Sequence, residues 1–324
     1  MAALQKTSTS SFLPALSRLI KPHSSVIVGL SGGPDSVFLL HVLATLQDEL
    51  AFKVVAAHLD HQWRTSSAQD TQFCIELCNQ WNVPLVTKKA SELPSTFVAN
   101  GSQEQLGRNM RRYFLEQVRI EHNAHTIALA HHQDDQLETF FINVIRGTTI
   151  SGITGMKEEH GCYIRPLLTI NKTDILTYLA EYNIPYCIDP TNESETYLRN
   201  RIRSTLLPAL NSCDNRARDN LTRAITNLRD TEQFLSTLTD QTLEEVTDTA
   251  RILNLPAFFK LAPYLQYRVL ARWLSLETQG TARSSEAFLQ EIMRFLSSPR
   301  GGRHELGATI SLKKQQGKAW IIHE

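Results

Sequence analysis

Apolar positions in the first part of the chain follow two alternating patterns. Short continuous runs, "SVIVGL", "KVVAAHL", "PLVTKK", "HTIALA" and "CYIRPLL", read as buried strands. Between them, apolar residues recur every third or fourth position: from Asp35 to about Leu50, Ala68–Trp81, about Ser102 to Glu121, "DDQLETFFINVI" and "KTDILTYLAEYN", with "IPYCID" closing the series. This alternation predicts an α/β fold: a doubly wound, mainly parallel sheet with helices on both faces. In such a sheet ligands settle at the carboxyl ends of the strands, near the point where strand order reverses.

From about Thr196 the strand signals stop. "YLRNRIRSTLLPAL" and "NRARDNLTRAITNLRDTEQFLSTLTDQTLEEV" are helical in period, and helices continue to about Phe295. "HELGATISLKKQQGKAWIIHE" then reads as a small hairpin with Gly317 near its turn. The expectation is a first domain over residues 1–212 and a mainly helical C-terminal domain over 213–324, divided near "NSCDN". Ahead of the first strand, "FLPALSRLI" is apolar at helical spacing, so the serine-rich N-terminus reads as an ordinary helix rather than a transit peptide.

Composition narrows the setting. No run reaches the roughly 18 apolar residues of a membrane span, so no membrane partner is expected. Five cysteines form an odd set without a C-x-x-C pair, which argues against a disulfide framework or a zinc site and fits a reducing cytoplasm. Lys plus Arg equal Asp plus Glu at 33 each, so any nucleic-acid contact must rest on local clusters.

The chemistry concentrates at strand ends. "VIVGLSGGPDSVFLL" is a strand, a glycine turn and a helix: the layout of a phosphate-binding loop, without the lysine of the Walker pattern. Gly32 and Gly33 permit close approach of backbone to ligand, and Ser31, Ser36 and the helix N–H groups after Pro34 are donors for phosphate oxygens. Asp35 stands where that lysine would be and suggests a different grip, with a metal at the aspartate. In "AAHLDHQWR", His58, His61 and Arg64 follow the second strand, where nucleotide or substrate contacts belong. In "ALAHHQDDQLETFF" a strand ends at His131 and His132, and Asp135 and Glu138 share a helix face at i, i+3. Two such carboxylates can hold a metal, orient an ammonium or accept a proton. "SQEQLGRNMRRYFLEQ" sets Glu104, Arg108 and Arg111 or Arg112 at helical spacing. Arg199, Arg201 and Arg203 occupy alternate positions in "YLRNRIR", so they cannot all serve one surface.

"SGGPDS" resembles the signature of the PP-loop ATP pyrophosphatases, which cleave ATP between its α and β phosphates. Over more than half the chain, from Val26 to Pro208, the pieces "SGGPDS", "HLDHQWR", "QEQLGRNMRR", "AHHQDDQLETF", "RGTTISGITGM", "IRPLL" and "DPTNESETYLRNRIRSTLLP" resemble, in order, the tRNA(Ile)-lysidine synthetases of that superfamily. The resemblance implies an adenine-nucleotide alpha-hydrolase-like fold and a ligase forming a carbon–nitrogen bond. ATP and Mg²⁺, free L-lysine, and tRNA(Ile) with a CAU anticodon are its implied cofactors and partners. Cytidine O2 attacks the α-phosphate, pyrophosphate leaves, and the lysine ε-amine then displaces AMP from C2.

Carried over by position, Asp35, Asp135, Glu138, Arg111, Arg112 and Arg203 are implied catalytic residues. Ser31, Gly32, Gly33, Pro34, Asp35, Ser36 and His58 bind ATP, with Mg²⁺ at Asp35, and Asp135 and Glu138 bind lysine. His61, Arg64, Arg108, Arg199, Arg201, Arg216, Arg218 and Arg223 contact tRNA; the last three belong to a basic helix that also reads as a solvated face. The sequence departs from the pattern at Gly107, where alanine is usual, and at Arg112, in a tyrosine slot, which leaves open whether Arg108, Arg111 or Arg112 faces the site. Thr149 and Ile150 interrupt the glycine-rich loop. The oligomeric state stays open, with a homodimer among the options. The alternatives are another PP-loop tRNA-modifying enzyme, such as a cytidine thiolase, or an inactive nucleotide- or tRNA-binding protein.

Overall fold

The computed structural model describes residues 13–63, 67–94, 103–188, 198–281, 285–307 and 309–323. The chain divides into two compact units, Met1–Thr226 and Asn227–Glu324.

The first unit opens with α1 (Leu13–Leu19) and β1 (Ser25–Gly29), then α2 (Pro34–Leu46), β2 (Lys53–Asp60), α3 (Ser67–Gln80) and β3 (Leu85–Lys89). It continues through α4 (Gln103–Glu121), β4 (Thr126–Ala128), α5 (Gln133–Arg146) and the single turn α6 (Ile150–Ile153). After β5 (Glu159–His160), β6 (Tyr163–Ile164) and α7 (Lys172–Glu181) come α8 (Leu198–Arg201), a π-helical turn (Ile202–Leu206), α9 (Leu207–Cys213) and the start of α10 (Ala217–Val246). The strand read in "CYIRPLL" shrinks to β6, and "IPYCID" forms no strand over its described residues.

The sheet order is β3-β2-β1-β4-β6-β5, parallel except for β5. Alternate strand residues supply two cores, which is why the strands read as continuous apolar runs. Val26, Val28, Val54, Ala56, Ala128 and Ile164 pack with α2, α3 and α7. Ile27, Val55, Ala57, Ile127 and Tyr163 pack with Phe114, Leu115 and Val118 of α4. Burying each large side chain contributes about 1.5–3 kcal/mol. Strand order runs β1-β2-β3 in one direction and resumes with β4 on the other side of β1. The crevice at the carboxyl ends of β1 and β4 is therefore the switch point, and both "SGGPDS" and "HHQDD" leave the sheet there.

The second unit holds the rest of α10, then β7 (Leu253–Asn254), α11 (Leu255–Phe258), α12 (Pro263–Glu277), α13 (Glu286–Ser297), β8 (Gly302–Glu305), β9 (Ile310–Gln315) and β10 (Lys318–His323). Its terminal hairpin is the middle of a four-stranded antiparallel sheet, β7-β10-β9-β8. The short flanking strands carry too little alternation to be read in sequence. Trp273, Phe258, Leu270 and Leu312 centre its core. No helix among the described residues is long and apolar enough to cross a membrane.

Candidate active site

β1 ends in a loop that closes on itself. Gly32 adopts φ +84°, a left-handed conformation that favours glycine. Its carbonyl turns inward and accepts the Cys187 N–H at 2.9 Å. Ser31 N–H donates to Ser36 Oγ at 3.1 Å, the two serine hydroxyls lie 3.0 Å apart, and Ser36 Oγ donates to the Gly33 carbonyl at 3.0 Å. The serines thus shape the loop from within, and Ser36 is buried. Helix α2 begins at Pro34 with no side-chain cap on its first turn. An uncapped helix start beneath a glycine turn is a seat for an anion.

Across the switch point, β4 feeds α5 through a reciprocal cap. His132 Nδ1 accepts the Asp134 N–H at 3.2 Å, and Asp135 Oδ2 accepts the His132 N–H at 3.0 Å. With Nδ1 an acceptor, the neutral ring carries its proton on Nε2, which faces Asp135 Oδ2 at 3.5 Å and Asp35 Oδ2 at 3.7 Å. Asp35 Oδ1 is taken by Lys172 Nζ at 2.5 Å. Farther along α5, Glu138 is fully buried; Arg203 Nε donates to its Oε1 at 2.6 Å, and Arg199 Nε lies 3.0 Å from its Oε2. Arg203 also approaches Asp135 Oδ1 at 3.8 Å. The result is a continuous string of polar side chains, cations and carboxylates bridged by His132: Lys172, Asp35, His132, Asp135, Arg203, Glu138, Arg199.

The electrostatics separate the two carboxylates of α5. Burial pushes the Asp135 carboxyl up, but His132, His131, the backbone N–H of His132 and Arg199 outweigh it and leave Asp135 below the usual carboxylate range. Burial raises Glu138 above its ordinary value against the pull of Arg203 and Arg199. Burial opposes the Arg203 charge, yet its bond to Glu138 more than compensates and holds the guanidinium protonated. The two therefore stand as an ion pair, with Asp135 the more open anion beside it. Among the described residues, no three His, Cys, Asp or Glu side chains converge as a protein-only metal site. Asp35 and Asp135, both facing His132 Nε2, fit magnesium's lesser demand of one or two carboxylates plus substrate phosphates.

Residues 4–210 match the PP-loop domain family. The chain belongs to that family. Among curated relatives, the tRNA(Ile)-lysidine synthase of Bacillus cereus is 33% identical over 261 residues, 77% of this chain and 54% of the relative. The tRNA(Ile)-lysidine synthase of Thermotoga maritima is 29% identical over 302 residues, 92% of this chain and 70% of the relative. The chain thus spans about half the length of the Bacillus protein. Among solved structures, the U34-tRNA thiolase NcsA from Methanococcus maripaludis aligns over 68% of this chain and 80% of its own, with TM-score 0.56 and 18% identity, a likeness of fold.

The other residues singled out in the sequence fall around this PP-loop centre unevenly. His58 is buried, with Nδ1 2.9 Å from the Leu30 carbonyl and Nε2 3.1 Å from Thr71 Oγ1, so both ring nitrogens are engaged within the protein. His61 stacks on Trp63 at 4.6 Å, and burial, reinforced by the Arg111 charge, holds its ring neutral with a pKa of about 4. Arg111 is the arginine of α4 whose charge acts on His58 and His61; burial and its neighbour Arg108 press its guanidinium down. Arg112 is not brought into the cluster. It pairs with Glu116 at 3.1 Å and lies over the Tyr163 ring at 5.4 Å. Gly107 explains its own departure, since a Cβ there would sit 2.3 Å from Trp63 Cη2.

Arg218 binds both oxygens of Asp134 at 2.8 Å and braces α10 against α5. Arg216 is exposed and pairs with Asp214 at 3.3 Å; Arg201 and Arg223 are exposed. Arg64 and residues 189–197 lie outside the described residues. The glycine-rich loop docks on α5: Gln136 Oε1 accepts the Met156 N–H at 2.7 Å, and Asn143 Nδ2 donates to the Gly152 carbonyl at 2.7 Å. Sequence reading missed Gln136, Asn143 and Lys172. For Lys172 the available signal was a lysine at the start of a helix, where the dipole disfavours it.

Proposed function

We propose that this chain joins lysine to C2 of the wobble cytidine of tRNA(Ile) bearing a CAU anticodon, at the expense of ATP, through an adenylylated cytidine. The reading is carried by one observation: a carboxylate pair, one open and one locked to two arginines, stands beside a phosphate-binding loop. The loop and the uncapped start of α2 receive the β and γ phosphates, which leave as pyrophosphate. Asp35, with Asp135 beside it, would hold magnesium, which would neutralise charge on the phosphates there.

Cytosine O2 is a poor leaving oxygen. Its attack on the α-phosphate breaks the bond to the β-phosphate and converts it into part of AMP, a good leaving group. Arg203, Arg199 and Arg111 supply fixed positive charge for this transfer. Free lysine is an ammonium with a pKa of about 10.4, so it must lose a proton before it attacks. Asp135 receives the ammonium, and one of the two carboxylates takes that proton; Glu138 reaches it only by exchanging one of its arginines. The amine then bonds to C2 and AMP departs with O2.

Contacts to transfer RNA are assigned to His61, Arg64, Arg108 and Arg201 and to the exposed Arg216 and Arg223, while Arg218 serves as a brace. The thiolase alternative calls for accessible thiolates beside the loop. Cys74 and Cys187 each place Sγ 3.5 Å from a Cβ on Gly32; Cys74 is buried, with its thiol pushed well above the ordinary range, which leaves the half-buried Cys187 as a single thiol there rather than a pair. Labelled lysine offered with ATP and a tRNA(Ile) transcript tests the proposal. Incorporation that requires a C at the wobble position supports it, and no incorporation into any transcript overturns it.

A further inference from the structure

The loop is missing the lysine that a Walker motif would place in its own helix, yet the fold brings a lysine to it from elsewhere. Lys172 Nζ lies 2.5 Å from Asp35 Oδ1, 137 residues away in sequence. Two further observations say that this is more than a stray ion pair. Lys172 is the first residue of α7, where the helix dipole opposes an ammonium. The helix start is already furnished without it: Asn171 Oδ1 accepts the Asp174 N–H at 2.8 Å, and Asn171 Nδ2 donates to Asp174 Oδ2 at 2.6 Å. The segment that delivers Lys172 is also fixed to the reacting centre, because Gln133 N–H, at the start of α5, donates to the Ile170 carbonyl at 2.9 Å. A residue that works against its own helix, on a backbone pinned to the site, has its reason in the site.

We infer that Lys172 is the pyrophosphate-binding cation of this loop, held on Asp35 until a phosphate arrives. An ammonium acts on phosphate as a point charge with three rotatable donors, so it can come from any side that the stem reaches. Parked on Asp35 it keeps the aspartate neutralised beside a helix start that is itself partly positive. When phosphate enters, the ammonium turns from the carboxylate to the phosphate oxygens and frees Asp35 for a cation. A lysine inside the loop's own helix could not couple the two events in this way. The inference rests on the loop's holding pyrophosphate, and it does not depend on lysine or tRNA being the other substrates.

Calorimetry with inorganic pyrophosphate on the full chain tests it without any turnover. Without magnesium, Lys172→Met should weaken pyrophosphate binding at least tenfold, and Lys172→Arg should recover most of it. The plot of log affinity against log salt should also flatten by about one ion in Lys172→Met. Asp35→Asn should bind magnesium-free pyrophosphate more tightly than the parent, and most of that gain should vanish in the double variant with Lys172→Met. Lys172→Met binding as the parent does, or an Asp35→Asn gain that persists undiminished in the double variant, would overturn the inference. Thermal melts of each variant separate a folding defect from a binding defect, and Lys172→Arg keeps the charge if Lys172→Met does not fold. A parent that binds pyrophosphate but never transfers lysine would sink the proposed reaction and leave Lys172 in place.

Discussion

The loop at Leu30–Ser36 and the arginine run at Leu198–Leu206 face the same crevice but are built in opposite ways. The loop is local: its shape comes from a left-handed glycine, two serine hydroxyls and one inward carbonyl, nearly all within seven residues of each other. The arginine run has no meaning by itself. Arg199 and Arg203 become part of the site because Glu138, more than sixty positions earlier, is buried between them. Local devices can be read from a short string of residues; long-range ones exist only once the chain has folded.

The largest effect should come from the long-range device. Glu138→Ala removes the buried anion that two partly buried guanidiniums share, and breaking such a cluster costs about 3 kcal/mol or more. We expect that loss in a denaturant melt, together with loss of lysine transfer. Glu138→Gln should recover part of the stability without the activity. A melt of Glu138→Ala within about 0.5 kcal/mol of the parent would mean that the arginines hold their places without it.

This division also explains how far the sequence could be read. The alternation of buried runs and amphipathic helices predicted the parallel sheet, since period is a local property. The glycines and serines of the loop were legible for the same reason. Legible too was that Arg199, Arg201 and Arg203 could not all face one surface: residues four apart share a helix face, and Arg201 is exposed. The choice between Arg111 and Arg112 was not legible. It depends on Glu116 and Tyr163 drawing Arg112 aside, and on Trp63 filling the place of a Cβ at Gly107. Lys172 was hidden because its partner lies 137 residues away in sequence, and β7 and β8 because such short strands carry no pattern.

A smaller effect separates neighbours within the run. Arg203→Ala should lower ATP–pyrophosphate exchange, measured with saturating tRNA, by about 100-fold, the usual loss when one fixed donor to a developing charge is removed. Arg201→Ala should leave exchange near the parental rate and weaken tRNA binding a few-fold. Equal losses in both would erase the distinction drawn between them. On the loop side, Gly32→Ala meets no atom closer than 3.5 Å, so its penalty is backbone strain of about 1–2 kcal/mol rather than a clash. ATP affinity should fall roughly tenfold by the same conversion. An unchanged affinity would mean that the left-handed turn at Gly32 plays no part in holding the nucleotide.

The last effect shows only in acid and lies where the two kinds of construction meet. His41, in the loop's own helix α2, is buried beside Trp81 and accepts the Tyr178 hydroxyl of α7 on Nδ1 at 3.1 Å. That bond ties the helix bearing Asp35 to the helix bearing Lys172. Burial lowers the His41 pKa to about 4, against about 6.5 when unfolded, so the unfolded chain binds the extra proton first as pH drops. Stability is therefore unaffected by His41 above about pH 6.5, falls as pH decreases from there toward about 4, and levels off below it, a loss of about 3 kcal/mol at most. His41→Gln can still accept from Tyr178 but cannot titrate. Its melts between pH 6.5 and 4 should show a slope shallower by about one proton, and a slope equal to the parent's would remove His41 from the seam's response to acid.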